Sequence, residues 1–136
     1  MNVTIMGLGY IGLPTAALIA SKGINVHGVD INKQVVDTIN LGKIHIVEPD
    51  LEGLVHYAVQ KKFLKASVKV QASDVFLVAV PTPFKAQHIP DLSYVENATR
   101  MIIPKLKPGN LFIIESTSPV GTTEKMAKLI FKERPE

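Results

Sequence analysis

The chain begins with the stretch VTIMGLGYIG, residues 3–12, in which a short apolar run leads into a glycine-rich turn. The residues after Gly12 have the apolar spacing of a helix, and a second apolar run ends at Asp30. A strand, a GxGxxG turn, a helix and an acid about 20 residues later are together typical of a dinucleotide-binding βαβ unit. The turn alone is weak evidence, but its flanking elements and the acid agree with it.

Each glycine of the turn has its own physical role in this interpretation. Gly7 permits the tight turn out of the strand, Gly9 leaves room for a pyrophosphate, and Gly12 lets the helix pack against the sheet. The helix directs its free N–H groups and the positive end of its dipole at the phosphates. Asp30 is expected to accept hydrogen bonds from the adenosine ribose. Because its charge repels a 2′-phosphate, the predicted cofactor is NAD rather than NADP.

Strands and helices alternate along the rest of the chain. Apolar runs predict strands at residues 2–6, 24–29, 67–70, 75–80 and 111–114. Helical spacing predicts helices over 10–22, 33–41, 50–62, 91–106 and 121–132. In the first helix we expect four residues to face the core: Ile11, Ala16, Leu18 and Ile19. The expected caps are Asn32 or Asp30 for the second helix and Asp50 for the third.

This alternation predicts an α/β fold, a Rossmann-like doubly wound parallel sheet covered by helices on both faces. A complete dinucleotide-binding domain has six strands. We therefore expect the sheet to be truncated after the fifth strand and its helix.

Composition narrows the functional class. The 136 residues suit one globular domain, with 46% hydrophobic and 20% charged residues. No apolar run approaches the ~18 residues of a membrane span. No basic, apolar leader precedes the first strand, which predicts a cytoplasmic protein. Scattered lysines and a net charge of +3 indicate no nucleic-acid partner. Without cysteine, and with no ligand spacing among the four histidines, no metal site is predicted.

Two further segments follow the fourth and fifth predicted strands, where ligands bind in sheets of this kind. Pro81 and Pro83 stiffen the turn VPTP, residues 80–83, and hold the Thr82 hydroxyl in a set position. The segment ESTSPVGTT, residues 115–123, places several hydroxyls between a strand end and a helix start. These hydroxyls either contact the cofactor or only cap the helix, and the VPTP turn is either a contact or a rigid loop.

Three motifs resemble those of the UDP-glucose/GDP-mannose dehydrogenase family: GLGYIGLP at 7–14, VPTP at 80–83 and ESTSPVG at 115–121. They occur in the family's order and spacing, and the resemblance covers the whole chain. Residues 45–51 and 81–85 are most similar to the UDP-N-acetyl-D-mannosamine dehydrogenase branch, which makes an aminouronic acid unit of bacterial surface polysaccharides.

The resemblance also implies roles for individual residues. The backbone of Tyr10 and Ile11 would contact the pyrophosphate, while Lys33 lies beside the ribose or phosphate or is simply an exposed helix lysine. Thr117 would lie near the nicotinamide and help to orient a catalytic water. With the residues argued above, the candidate cofactor-binding set is Gly7, Gly9, Tyr10, Ile11, Gly12, Asp30, Lys33, Thr82, Ser116, Thr117 and Thr123. Thr123 is included mainly for its place at the start of a helix.

Members of this family oxidise a sugar C6 alcohol to a carboxylate in two hydride transfers, consuming two NAD, with a cysteine that captures the intermediate aldehyde. This chain has no cysteine. It also ends before the family's glutamate-bearing segment, central helix and C-terminal sugar-binding domain. We therefore predict that residues 1–136 form an incomplete NAD-binding Rossmann domain, inactive alone, which meets a UDP-sugar only in the full-length enzyme.

Other interpretations stay open at this point. The chain is either part of such an enzyme or a self-standing nucleotide-binding module without catalysis, and a homo-oligomer is compatible with both. Within the family, the substrate is alternatively UDP-glucose, UDP-N-acetylglucosamine or GDP-mannose. A methyltransferase would also place an acid after its second strand, but it gives no reason for the Pro-Thr-Pro turn or the third glycine.

Overall fold

The computed structural model describes residues 1–136. Its strands are β1 (Asn2–Met6), β2 (Asn25–Val29), β3 (Leu64–Ser67), β4 (Val75–Val78) and β5 (Leu111–Ile114). Its helices are α1 (Gly12–Ser21), α2 (Lys33–Asn40), α3 (Leu51–Gln60), α4 (Ser93–Ile102) and α5 (Thr122–Glu133). All strand pairs are parallel, and the sheet has the order β3-β2-β1-β4-β5. The predicted Rossmann-like α/β fold is thus confirmed.

Hydrophobic cores lie on both faces of this sheet. Ile5 belongs to the core beneath α1, α2 and α3, whereas its neighbour Met6 belongs to the core shared with α4 and α5. Successive side chains of a strand point to opposite faces, so a strand buried on both sides is mostly apolar. The buried Thr4 of β1 is an exception, and its hydroxyl forms a hydrogen bond within the chain. The central strand β4 shows the same division, with Leu77 in the first core and Phe76 in the second.

Three predicted element bounds were wrong. The third strand spans residues 64–67 rather than 67–70, because the edge strand β3 alternates buried Leu64 and Ala66 with polar residues and lacks an apolar run. The fourth strand ends at Val78, since its pairing with β1 and β5 ends there. Helix α4 gives way at Ile102 to a 3-10 turn containing Pro104, which has no N–H to continue the helix.

The predicted inner face of α1 was wrong at two positions. Ile11 and Leu18 are 51% and 56% exposed, whereas Ala16 is buried and Ile19 packs against the core as expected. The buried face is instead made of the residues Gly12, Leu13, Ala16, Ala17 and Ala20. These residues recur at helical spacing, and four of the five are glycine or alanine, whose small size brings α1 close to the sheet.

The two predicted caps also had different outcomes. The Asn32 side chain accepts a hydrogen bond from Gln34 N at 3.0 Å and caps α2. Asp50 precedes α3 but makes no side-chain cap, because its backbone is left-handed with φ 65°. Among the five helices, none has both the length and the apolar character to span a membrane.

Candidate cofactor site

The glycine-rich turn packs backbone against backbone with the end of β4. Gly7 has φ +95°, and its N–H donates to Val29 O at 2.7 Å. A Cβ on Gly7 would lie 2.7 Å from Ala79 O, and one on Gly12 would lie 1.7 Å from Gly7 O. No side chain fits at either position. The turn and the start of α1 are therefore held in one arrangement by close packing.

The middle of the same turn is open. A Cβ on Gly9 would meet nothing within 4 Å. The backbone N–H groups of Gly9, Tyr10 and Ile11 donate no hydrogen bond within the chain, and the first turn of α1 carries no acidic residue. Free N–H groups and the positive helix end together suit an anion such as a pyrophosphate. The Tyr10 and Ile11 side chains point outward, being 62% and 51% exposed.

Asp30 lies directly beside this turn. Its Oδ2 accepts a hydrogen bond from Leu8 N at 3.0 Å, and its Oδ1 accepts one from Asn32 N at 2.9 Å. Each carboxylate oxygen retains a free lone pair, so Asp30 can still accept hydrogen bonds from a pair of hydroxyls. Lys33 differs from Asp30, because its amino group forms an exposed ion pair with Asp37 one turn further along α2.

The loops after β4 and β5 are joined by hydroxyl hydrogen bonds. Thr82 Oγ1 donates to Thr117 O at 2.5 Å. Ser116 is buried, and its Oγ donates to Val80 O at 2.7 Å. The Ser116 hydroxyl proton is thus used within the protein. The exposed Thr117 hydroxyl makes no hydrogen bond within the chain and is available to a ligand.

Thr123 lies in the first turn of α5. Thr123 is exposed and lines a groove of about 320 Å³ beside β5, together with Phe112 and Ala127. None of the other candidate cofactor residues lines this groove. Thr122, the residue before Thr123, is buried, and its Oγ1 donates a hydrogen bond to Pro119 O at 2.8 Å. At the start of α5, the Thr122 hydroxyl is therefore used within the protein, whereas Thr123 forms part of the wall of the groove.

Two residues of the site were not singled out from the sequence. Ala79 occupies the space beside both glycines, because a Cβ on Gly7 would lie 2.7 Å from Ala79 O and one on Gly12 would lie 3.3 Å from the Ala79 Cβ. The sequence signal for Ala79 is a small residue at the end of a strong apolar run. Glu115 belongs to the ESTSPVG motif, but its role is visible only in space. Its Oε1 accepts a hydrogen bond from Thr15 Oγ1, in α1, at 2.8 Å.

The whole chain, residues 1–136, matches the model of the UDP-glucose/GDP-mannose dehydrogenase family, NAD binding domain. It is 58% identical over 135 residues to UDP-N-acetyl-D-mannosamine dehydrogenase of Escherichia coli (strain K12), covering 99% of this chain and 32% of that protein. It is 54% identical to NDP-N-acetyl-D-galactosaminuronic acid dehydrogenase of Ralstonia nicotianae, with the same coverage of each chain.

A solved structure gives the same result. UDP-D-ManNAc dehydrogenase of Pyrococcus horikoshii superposes with a TM-score of 0.96 at 42% identity, over 100% of this chain and 33% of that one. This chain therefore spans about a third of the length of the relatives that it matches. The match over every residue and the geometry of the glycine-rich turn agree, and the chain belongs to the UDP-glucose/GDP-mannose dehydrogenase family as an NAD-binding domain.

Proposed function

We propose that residues 1–136 are the NAD-binding portion of a nucleotide-sugar 6-dehydrogenase. The proposed reaction oxidises UDP-N-acetyl-D-mannosamine to UDP-N-acetyl-D-mannosaminuronate with two NAD, for bacterial polysaccharide biosynthesis. The observation that carries the cofactor assignment is the set of unpaired N–H groups at Gly9, Tyr10 and Ile11, with open space above Gly9 and the Asp30 carboxylate beside it.

Each of these groups would contact a different part of the cofactor. Asp30 would accept hydrogen bonds from the adenosine ribose, and the N–H groups of the turn would hold the pyrophosphate. The remaining half of the cofactor would extend over the ends of β4 and β5, where Thr82 and Thr117 are joined. NAD supplies the hydride acceptor when bound. The Thr117 hydroxyl would orient a water there, while Thr82 keeps the Thr117 backbone in place.

The sugar is proposed from the relatives. The E. coli and P. horikoshii proteins are both named for N-acetylmannosamine, and the R. nicotianae protein is named for an N-acetylgalactosamine derivative. The shared feature is an N-acetylated amino sugar on a nucleoside diphosphate. The higher identity to the mannosamine enzyme, 58% against 54%, favours N-acetylmannosamine over the N-acetylgalactosamine derivative. Solved GDP-mannose and UDP-glucose dehydrogenases are less similar, at 33% and 32% identity, which argues against those two sugars.

Calorimetric titration of the chain with NAD, and in parallel with NADP, tests the cofactor site. We expect NAD to bind with a clear preference. The Gly9→Ala variant sharpens the test, because its Cβ meets nothing within 4 Å and the fold has no reason to change. Its methyl group would nevertheless occupy the space that a pyrophosphate needs. We therefore expect NAD to bind at least tenfold more weakly, which is a loss of about 1.4 kcal/mol in binding free energy for each factor of ten. Thermal stability should be unchanged.

Gly53→Ala is the matched control, because Gly53 also has open space at its Cβ position but lies on α3. NAD affinity should be the same as in the wild type. Equal NAD affinity of the Gly9→Ala variant and the wild type would contradict the phosphate assignment. A folded wild-type chain that binds neither dinucleotide would contradict the cofactor site as a whole.

The catalytic part of the proposal has its own test. The chain alone has no cysteine and should produce no NADH from UDP-N-acetyl-D-mannosamine. A chimera that replaces the corresponding third of the E. coli relative with residues 1–136 should produce two NADH for each sugar consumed. A folded chimera without this activity, at saturating NAD, would show that the chain does not serve as the cofactor domain of such an enzyme.

A further inference from the structure

A carboxylate lies between α1 and the end of β5, in the crevice where the sheet order reverses direction. Glu115 Oε1 accepts a hydrogen bond from Thr15 Oγ1 at 2.8 Å, across 100 residues of sequence. Thr15 belongs to the first turns of α1, and Glu115 immediately follows β5. Dinucleotides bind in open α/β sheets at this crevice, outside the carboxyl ends of the strands.

No cation neutralises this carboxylate. Glu115 takes part in none of the five ion pairs of the chain. In the loop between β4 and α4, Lys85 is paired with Asp91 at 3.9 Å, so that these two charges offset each other. Glu124 and Lys125 are exposed on α5 and carry opposite charges. Glu115 therefore contributes an unbalanced negative charge to the crevice.

The order of the sheet determines which half of a dinucleotide meets Glu115. Asp30 follows β2 on one side of β1, whereas β4 and β5 lie on the other side. With the adenosine ribose at Asp30 and the pyrophosphate at the start of α1, the nicotinamide half must extend toward β4 and β5. We infer that the charge of Glu115 makes the site prefer the oxidised over the reduced dinucleotide. This inference rests on the proposed NAD site.

The physical reason is the charge of the nicotinamide ring. The ring is a cationic pyridinium in NAD⁺ and neutral in NADH, so an adjacent carboxylate stabilises the oxidised form selectively. Because Glu115 is exposed, water and salt weaken this attraction. We therefore expect Glu115 to contribute a factor of about three to ten to the ratio of the two dissociation constants.

A purely structural role for Glu115 predicts a different result. The carboxylate also lies near the positive end of the α1 dipole and would stabilise the helix there. Loss of that contact would lower thermal stability and weaken the binding of NAD⁺ and NADH by the same factor. The ratio of the two dissociation constants therefore distinguishes the two roles.

The experiment measures the dissociation constants of NAD⁺ and NADH for the wild-type chain and for Glu115→Gln. Glutamine keeps an oxygen that accepts the Thr15 hydrogen bond, so the variant should fold normally. We expect its preference for NAD⁺ to fall by about three- to tenfold, mostly through weaker NAD⁺ binding. Added salt should reduce the wild-type preference and leave that of the variant nearly constant.

Glu52→Gln is the matched control, since Glu52 is an exposed first-turn glutamate of α3 without an ion pair. The ratio of the dissociation constants for NAD⁺ and NADH should be the same in this variant as in the wild type. An unchanged ratio in Glu115→Gln, while the wild type binds both forms, would overturn the role of Glu115 and leave the NAD site intact. A folded wild type that binds neither form would overturn both proposals together.

Discussion

Asp30 Oδ2 accepts a hydrogen bond from Leu8 N at 3.0 Å, so the acid after β2 and the glycine-rich turn after β1 form one unit. The two residues are 22 positions apart. Leu8 is fully buried, and its N–H has no other acceptor. An acid at this position therefore both presents oxygens to a ribose and satisfies a buried amide of the turn that would hold the phosphates.

This double role leads to a prediction for two variants of Asp30. Asp30→Ala leaves Leu8 N unpaired and should lower the free energy of unfolding by about 1–3 kcal/mol. It should also weaken NAD by roughly tenfold or more and reduce the discrimination against NADP. Asp30→Asn retains an acceptor for Leu8 N, so it should keep most of the stability while still relaxing the exclusion of NADP.

Calorimetric titration and urea unfolding of the two variants separate these effects. The ribose assignment is incorrect if NAD affinity is the same in Asp30→Ala as in the wild type.

Gly12 should tolerate no side chain. A Cβ there would lie 1.7 Å from Gly7 O, which is backbone and moves only if the turn itself rearranges. Gly12→Ala should therefore destabilise the fold by about 3 kcal/mol or more, at the upper end of overpacking effects. Urea unfolding measures this, with Gly53→Ala as the comparison, which should raise stability by about 0.5–1 kcal/mol because Gly53 lies inside α3. Equal stability of the two variants would refute the close-packing argument.

His27 should make stability depend on pH. Burial is the largest cause that lowers the pKa of His27 below 6.5; its hydrogen bond with the Lys69 carbonyl raises the pKa, and the Lys65 charge lowers it. The His27 Nε2 also lies 2.7 Å from Ser67 Oγ. Since the folded chain takes up the proton at lower pH than the unfolded chain, the unfolded state binds more protons as pH falls through this region.

The free energy of unfolding should therefore fall as pH is lowered from neutrality through 6.5 toward the folded pKa. Urea unfolding across that range, kept above about pH 5 to avoid carboxyl titration, gives the slope. His27→Gln should flatten it. A slope as steep in His27→Gln as in the wild type would show that another group is responsible.

A strained hairpin follows the Pro-Thr-Pro turn. Phe84 pairs with Pro90 in antiparallel fashion, and Lys85 N donates to Ile89 O at 2.5 Å. Gln87 and His88, at the tip, have φ of 61° and 59°. Positive φ at both central residues is the pattern of a type I′ turn, which normally carries Asn-Gly. A non-glycine residue in this conformation costs about 1–2 kcal/mol.

Gln87→Gly should relieve part of this strain and raise the free energy of unfolding by up to about 1 kcal/mol, after allowing for the greater freedom of the unfolded chain. Ala86→Gly is the control. Ala86 has no positive φ, so that variant should lower stability. Thermal unfolding of the pair gives the answer, and a Gln87→Gly variant less stable than the wild type would argue against strain at the tip.

The features that the sequence analysis missed or placed wrongly lie where tertiary contacts override the local sequence pattern. The strand at 64–67 carries a lysine between two buried residues, and only its pairing with β2 makes it a strand. The hairpin at Phe84–Pro90 has neither glycine nor asparagine at its tip, so its sequence contains no turn signal. Ile11 and Leu18 were expected inside because they are large and apolar, but the packing of α1 selects small residues instead.

The sequence by itself determined the succession of strands and helices along the chain, the glycine-rich turn and the acid that follows β2. These features depend on periodicity and turn chemistry within about 20 residues, which local physics specifies. The tertiary structure decided which distant groups meet: Asp30 with Leu8, Thr82 with Thr117, and Glu115 with Thr15. The physical reason is that a parallel sheet gathers the carboxyl ends of all its strands at one edge. The spatial order of the strands in the sheet and their hydrogen-bond register then select which residues become neighbours at that edge.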